Sequence, residues 1–323
     1  MKKREPRKRF GIAEWYGRLI TELTAEERRQ LARVQFLKKK QRPPLLCPSR
    51  STEGSQVACT KEGGVCTIRV YEQDPVRGTV SVPEGEARQL VTICPHRFKQ
   101  QETIFRWIGE LLLGTPAPRV VHEVPFLERA VGAGSDERDV PQTEKVGRID
   151  NVLVHPTLEP LAWCALEMQA VYFSGRAMKK EFAKLRRVRS EGLPFPSEHR
   201  RPDYRSSGPK RLMPQLQIKV PTLRRWGKRM AVVVDRPFFN ALGPMRTVQD
   251  ISSCDIAWFV VRYGEAHQRA SLVPDSVILT TLEDAVEGLT GGEPVPQTVF
   301  EGRIREKLAG RSMHPGAKPG LVQ

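Results

Sequence analysis

Apolar residues at helical spacing predict two helices in residues 11–40. The interval is kept by Ile12, Trp15, Tyr16, Leu19, Ile20 and Leu23. Thr24 and Glu27 then form a capping box in front of the second helix, which three lysines at 38–40 close favourably for the helix dipole. The basic residues before position 11 predict a mobile arm, either solvated or lying along a phosphate backbone.

The pattern becomes more regular from residue 99 onward. The first predicted elements are a helix at 99–114 ended by Gly114, a strand at 119–129 and a polar mobile loop at 131–145. Two strands follow, the first with Asp150 and the second with Glu167 and Gln169. A helix at 175–192, two apolar strands within 230–262 and a last helix within 283–310 complete the order. This order predicts an α/β fold in which helices flank a mixed sheet.

Two acidic residues fall where the strand pair would bring them together. Strand side chains alternate between faces, so Glu167 and Gln169 point to one side and Met168 to the other. A turn at residues 155–160 can place Asp150 beside Glu167. Two converging carboxylates form a site for a hard cation such as Mg²⁺, which keeps waters and binds phosphate oxygens. The alternative is that they are polar positions on a half-exposed strand.

Composition narrows the classes of protein that fit this pattern. The 323 residues include 53 basic and 37 acidic side chains, and the net charge of +16 favours phosphate backbones or anionic membranes as partners. No apolar run approaches the roughly 20 residues of a membrane span, and the basic N-terminus lacks the apolar core of a secretory signal. Gly-rich phosphate loops and the GxSxG and HExxH motifs are absent. We therefore expect a cytoplasmic protein that binds nucleic acid.

Residues 176–229 hold more of the positive charge than any other segment, with 17 basic residues against four acidic ones. Their prolines predict an extended insertion at about 193–229 rather than a packed element. We interpret the segment as the main phosphate-contacting surface, with a solvated charged face as the alternative. The predicted DNA-binding residues are Lys179, Lys180, Lys184, Arg186, Arg187, Arg200, Arg201, Arg205, Lys210, Arg211, Arg224 and Arg225.

Four of the six cysteines lie in the N-terminal third. Cys164 and Cys254 fall in apolar strand patterns and are predicted to be inert core residues. Residues 43–96 are rich in turns around two strand patterns, TIRVYEQ and QLVTI, and have too few apolar residues to fold by burial alone. A tetrahedral metal site would tie them together, and thiolates suit Zn²⁺ or iron. The predicted ligands are Cys47, Cys59, Cys66 and Cys94, with His96 as a substitute ligand and four unrelated thiols as the alternative.

The succession of Asp150 and then Glu167-x-Gln169 resembles the PD-(D/E)xK nuclease signature, except that Gln169 stands where Lys is usual. The Asp…Glu-x-Gln form is similar to that of the NotI-type type II restriction endonucleases. The segments MPQLQIKV, PTLRRWGK and CDIAWFVV resemble that family too, so the resemblance spans most of residues 45–290. It implies an αβββαβ nuclease core that cleaves double-stranded DNA with Mg²⁺. It also implies a four-cysteine iron-binding module ahead of the core, which favours iron over zinc.

The resemblance further implies a role for each site residue. Asp150 and Glu167 ligate Mg²⁺, Gln169 orients the attacking water or the scissile phosphate, and Lys179 or Lys180 lends the missing positive charge. Glu123 is a further candidate acid, with a strand-edge salt bridge as the favoured alternative. A restriction enzyme that reads a palindrome is a two-fold homodimer, and dense arginine favours a GC-rich site. A catalytically inactive nucleic-acid-binding protein and a structure-specific repair nuclease stay open as alternatives.

These patterns divide the chain into three parts. Residues 1–98 are predicted to form an N-terminal helical and four-cysteine module. Residues 99–311 are predicted to form the endonuclease core, with the basic insertion inside it. The tail at 312–323 contains Gly and Pro and is predicted to be disordered.

Overall fold

The computed structural model describes residues 5–131, 142–173, 178–266, 269–291 and 295–312. The predicted loop at 131–145 and the predicted tail beyond Ser312 therefore lie mostly outside the described residues. Residues 142–145 are described, and they belong to a strand rather than to a loop. Among the described residues, no helix is long and apolar enough to cross a membrane.

The N-terminal region contains a small antiparallel sheet. The prediction of a first helix from residue 11 is therefore wrong, because Arg7–Trp15 forms a strand of this sheet. The strand order is β2-β1-β3-β4, with β5 also paired to β3. Arg7, Lys8 and Arg9 pair with the end of β3, so they belong to this sheet and not to a mobile arm. Its elements are β1 (Arg7–Trp15), β2 (Arg18–Leu19), α1 (Ala25–Val34), β3 (Val65–Gln73), β4 (Val80–Ser81) and β5 (Val91–Thr92).

Strand β1 resembles a helix in sequence because it is buried on both faces. Its last five residues are all buried, so the apolar positions do not alternate. Tyr16 and Gly17 follow with φ of 48° and 73° and turn the chain back into β2. The second predicted helix is confirmed as α1, with both capping-box bonds between Thr24 and Glu27. The three lysines at 38–40 lie beyond its end.

A six-stranded mixed sheet follows in the order β13-β12-β11-β8-β7-β6. Strand β11 runs parallel to both β8 and β12, and the other neighbours are antiparallel. The elements of this part are α2 (Thr103–Leu113), β6 (Arg119–Val131), β7 (Gln142–Val154), β8 (Trp163–Met168), β9 (Tyr172–Phe173), α3 (Lys179–Arg187), β10 (Pro202–Asp203), α4 (Tyr204–Ser207), α5 (Met213–Arg225), β11 (Met230–Asp235), α6 (Arg236–Asn240), β12 (Ile256–Ala266), β13 (Arg269–Thr280), α7 (Leu282–Thr290) and α8 (Gln297–Ser312).

Helices cover both faces of the six-stranded sheet, so the predicted α/β class is confirmed. On one face Ile104 and Ile108 of α2 pack with Leu153, Leu166 and other strand residues. On the opposite face, α5 and α7 bury apolar residues against Val232 and its neighbours. Gly114 ends α2 in the left-handed conformation, as predicted.

The segment at 193–229 is packed, and its prediction as an extended insertion is wrong. A π-helical turn at Gly208–Leu212 leads directly into α5. Pro214 is accommodated because it lies in the first turn of α5, where a missing N–H costs little. The buried residues Leu212, Leu216, Val220 and Leu223 follow helical spacing and fix α5 on the sheet.

Buried polar contacts join the N-terminal sheet to the six-stranded sheet. Arg97 forms an ion pair with Glu14 of β1 and donates to the backbone oxygen of Ala270. The backbone N–H of Thr92 donates to the carboxylate of Asp235. The backbone carbonyl of Thr92 accepts from the N–H of Val171. These contacts place the N-terminal module beside the end of β8, where it forms one wall of a cleft.

Candidate active site

A cleft of about 1070 Å³ lies between the N-terminal module, the ends of β7 and β8, and the segment from α3 to α5. Among the described residues, six basic and four acidic side chains line it, together with Gln169, Gln215 and two histidines. The N-terminal wall contributes basic residues that the sequence analysis did not select. The charged lining residues are Arg42, Lys61, Lys99, Lys179, Arg200, Arg211, Glu62, Glu123, Asp150 and Glu167.

Asp150 and Glu167 lie opposite each other on neighbouring strands. Asn151 pairs with Leu166 in the antiparallel ladder of β7 and β8, and the next step of this register pairs Asp150 with Glu167. Directly opposed residues share a face of the sheet. Both side chains line the cleft, and the Asp150 carboxyl lies within hydrogen-bond reach of Glu167. The structure therefore brings the two predicted acids together.

The two carboxyl groups differ in environment. Asp150 is exposed, whereas Glu167 is buried on the central strand β8, opposite Val232 of β11. Burial raises the pKa of Glu167, the nearby ammonium of Lys219 opposes this effect, and Asp150 adds to the rise. An acidic pair with one buried and one exposed member is typical of functional sites.

The positively charged residue of this site, Lys219, was not predicted from the sequence. Lys219 of α5 places its Nζ 2.8 Å from Oε2 of Glu167 and 2.8 Å from Oε1 of Gln215. A usable signal was present, because Gln215 and Lys219 are two polar residues four positions apart within an apolar helical pattern. Lys179 lines the cleft, and Lys180 forms an exposed ion pair with Glu198.

Gln169 follows the end of β8 and is buried at the cleft wall. Its backbone N–H donates to the carbonyl of Val233, which continues the pairing with β11 beyond Met168. Its side-chain Nε2 donates to the carbonyl of Ala170 at 2.6 Å. The amide is neutral, so it can orient a ligand by hydrogen bonds but cannot serve as a base.

Glu123 lies at the rim of the same cleft, on β6. It lies between His122 and Val124, which pair with Asn151 and Ile149 of β7, and so stands opposite Asp150. Its φ of 52° is unusual for a residue other than glycine. The Arg148 side chain donates to its carboxylate at 3.1 Å, and both side chains are exposed. The structure thus gives Glu123 the strand-edge salt bridge that the sequence analysis favoured.

The predicted DNA-binding residues separate into two groups. Lys179, Arg200 and Arg211 line the cleft. Arg224 instead forms ion pairs with Asp255 and Glu283, which hold α5 against the start of β12 and α7. The remaining predicted residues lie outside the cleft lining, namely Lys180, Lys184, Arg186, Arg187, Arg201, Arg205, Lys210 and Arg225.

The four N-terminal cysteines lie near one another, because Cys47 and Cys59 act electrostatically on Cys94, and Cys94 acts on Cys66. In the described part of the chain, no group of three or more His, Cys, Asp or Glu side chains is arranged to hold a metal ion. Cys59 and Cys66 direct their thiols to backbone carbonyls of Lys61 and Gly64. Burial raises the pKa of Cys59, Cys66 and Cys94. The predicted four-cysteine site, with His96 as a substitute ligand, is therefore not shown by the structure and stays a prediction.

Paired carboxylates in a cleft that also carries several basic side chains are typical of enzymes that hydrolyse nucleic acids. A family model described as "Restriction endonuclease NotI" matches residues 28–273 of the 323. The chain belongs to the NotI restriction endonuclease family. It is a type II site-specific deoxyribonuclease and binds double-stranded DNA. A comparison with curated proteins found no match.

Proposed function

We propose that the chain hydrolyses phosphodiesters of double-stranded DNA at the cleft, with Asp150 and Glu167 as the catalytic acids and Mg²⁺ as the cofactor. The observation that carries this proposal is that the carboxyl groups of Asp150 and Glu167 lie within hydrogen-bond reach of each other inside the cleft. Restriction endonucleases generally use Mg²⁺. The order α2, β6, β7, β8, α3 and β11 supports the assignment of residues 99–311 to the PD-(D/E)xK fold.

The donor set fits Mg²⁺ by its chemistry. Carboxylate oxygens are the ligands that this hard cation prefers, and one or two carboxylates with waters and phosphate oxygens complete its shell. Asp150 and Glu167 would hold the ion, which when bound polarises a phosphodiester and lowers the pKa of an attacking water. Lys219 occupies only one oxygen of Glu167, so the carboxylate keeps a second oxygen for a cation.

The remaining residues act on the DNA itself. Basic side chains line both walls of the cleft, and they neutralise phosphates as the duplex enters. Gln169 lies beside the acids and positions the reacting phosphate or water through its amide. The density of arginine in residues 176–229 supports readout of guanine, because arginine donates two bonds to the major-groove edge of this base. We propose a GC-rich palindrome read by a two-fold homodimer.

The iron or zinc predicted for the four cysteines has no part in this proposal. Elemental analysis of the purified protein tests for such a metal directly. A stoichiometric metal that is lost in the Cys66→Ser variant would return the four-cysteine module to the account.

Digestion of long duplex DNA, followed by sequencing of the ends, tests the proposed function. With Mg²⁺ we expect discrete fragments whose ends share one palindromic sequence, and without Mg²⁺ we expect none. The Asp150→Asn variant should bind the same DNA without cutting it. Glu144→Gln is the matched control, because Glu144 is an exposed acid of the same strand whose partner is Arg129.

Two results would contradict the proposal. Normal cutting by Asp150→Asn would place the chemistry elsewhere in the molecule. Cutting confined to branched or mismatched substrates would assign the chain to structure-specific cleavage instead of sequence-specific cleavage.

A further inference from the structure

Lys219 is a charged residue at a position where the fold offers apolar surroundings. Leu216, Val220 and Leu223 of the same helix are buried against the sheet. Lys219 is only 7% exposed and Glu167 only 6%. A buried ion pair adds little stability over apolar residues of similar size, because both charges lose their hydration. Burial alone therefore does not explain why the pair lies here, and its role depends on the groups that it contacts.

The position of Lys219 on α5 gives that explanation. Arg211, Gln215 and Lys219 recur every four residues along the π turn and α5. Arg211 and Gln215 line the cleft, and Lys219 lies behind them. Its ammonium bridges Gln215 and Glu167 at 2.8 Å each, so it joins the helix that forms the cleft wall to the central strand of the sheet.

We infer that Lys219 is a positioning residue of the nuclease site. It holds Oε2 of Glu167 and thereby fixes the direction of the carboxylate, while Gln215 fixes the ammonium. The contact comes from a helix 52 residues away in sequence, so it depends on the packing of α5 against the sheet. Lys219 does not line the cleft, so it acts through Glu167 and not on the DNA. The inference rests on the proposed function of Asp150 and Glu167.

Single-turnover cleavage and DNA binding of Lys219 variants test the inference. Lys219→Met keeps the length and apolar stem of the side chain and removes the charge. A misplaced catalytic group of this kind costs about 100-fold in rate. We expect that loss at saturating DNA, with the DNA dissociation constant within about threefold of the original protein. Lys219→Arg should recover about tenfold of the loss, because it restores the charge-assisted bond.

The controls separate a positioning role from a structural role. Gln217→Met lies two residues away on the exposed face of α5 and should cut normally. All variants are compared at a temperature where circular dichroism shows them fully folded. If Lys219→Met does not fold, Lys219→Gln replaces it, since glutamine retains N–H donors without the charge and should show the same 100-fold loss.

Three outcomes would overturn the inference: cleavage by folded Lys219→Met within threefold of the original rate, a loss of rate that only follows a loss of DNA affinity, or no recovery with Lys219→Arg. The Asp150→Asn variant, measured in parallel, distinguishes these from failure of the proposed function. If Asp150→Asn is inactive while Lys219→Met cuts normally, only the inference about Lys219 fails. If Asp150→Asn also cuts normally, the proposed function itself fails.

Discussion

Two buried ion pairs of the molecule, Glu14–Arg97 and Glu167–Lys219, use similar chemistry in different settings. Arg97 donates two bonds to Glu14, and it also contacts Gln100, the carbonyl of Ala270 and the ring of Tyr263. Glu14 accepts a further bond from the hydroxyl of Thr67. The Glu14 side chain is 1% exposed and the Arg97 side chain is 2% exposed. Glu14 thus has partners for both of its oxygens.

The Glu167–Lys219 pair is less completely satisfied and lies beside a second acid. Lys219 binds one oxygen of Glu167, and Asp150 lies against the same carboxyl group. A saturated pair between two sheets serves to hold them in register, whereas an incompletely saturated acid in a cleft is prepared to bind a ligand. The comparison teaches that burial alone does not identify the functional pair. The number of partners and the neighbouring charges do.

The largest effect that we expect is on the rate of DNA cleavage, when the Glu167–Lys219 pair in the cleft is changed. Glu167→Gln removes a catalytic charge, and it should lower the single-turnover cleavage rate on the order of 10²–10³-fold. Glu14→Gln, measured while still folded, should leave the rate of each folded molecule unchanged. Equal losses in the two variants would remove the distinction between the pairs.

The second expected effect is on the free energy of unfolding, through the Glu14–Arg97 pair. Arg97→Met leaves Glu14 buried without its cation, and it should lower the free energy of unfolding by about 3–5 kcal/mol. The control is Arg18→Met, which breaks an exposed pair with Glu27 in the same sheet and should cost about 1 kcal/mol or less. Urea denaturation measures both. A similar small cost for Arg97→Met would show that the pair does not hold the sheets together.

The third effect is a dependence of stability on pH, through Asp235, which contacts Thr92 between the two sheets. Burial raises the pKa of Asp235 to about 6, compared with an ordinary value of 3.8. The folded state therefore holds this proton more tightly, so the stabilisation is complete below about pH 4 and is lost as pH rises through 6. The difference between the two pKa values corresponds to roughly 3 kcal/mol.

Denaturation of the original protein and of Asp235→Asn across pH 4–7 isolates this contribution. The stability of the original protein relative to the variant should fall as pH rises over that range. A constant difference would contradict the raised pKa.

The smallest effect distinguishes two arginines of the basic segment. Arg211 lines the cleft, and its guanidinium lies 4.8 Å from the centre of the Tyr172 ring. Arg211→Gln should reduce the slope of log affinity against log salt by about 0.9, as for one lost phosphate contact. Arg224→Gln should leave that slope unchanged, because Arg224 is bound to Asp255 and Glu283. The reverse result would move the DNA-binding surface away from the cleft.

The pairing of the two acids could be foreseen because it depends on local sequence. Asp150 and Glu167 belong to adjacent antiparallel strands, and a short connection at 155–162 fixes their register. The position of Lys219 could not be foreseen in the same way. Its contact with Glu167 depends on the packing of α5 across the sheet, which is decided by the apolar face of the helix and not by the spacing of charged residues.

Two of the errors of fold prediction also have clear physical causes. In β1 the burial of both faces removed the alternation that marks a strand. In the segment at 193–229, prolines and arginines concealed the helical spacing of Leu212, Leu216, Val220 and Leu223. Regions with one buried face, such as α2, were predicted with nearly correct bounds because their periodicity is intact.

The position of a bound divalent ion tests the central claim most directly. Mn²⁺ can replace Mg²⁺ in oxygen-ligand sites, and its anomalous scattering locates it in crystals of the protein with duplex DNA. We expect one peak about 2.2 Å from a carboxylate oxygen of Asp150 and from the free oxygen of Glu167, with Lys219 still bound to the other. A peak that touches neither carboxylate, or an ion that displaces Lys219 from Glu167, would contradict the account.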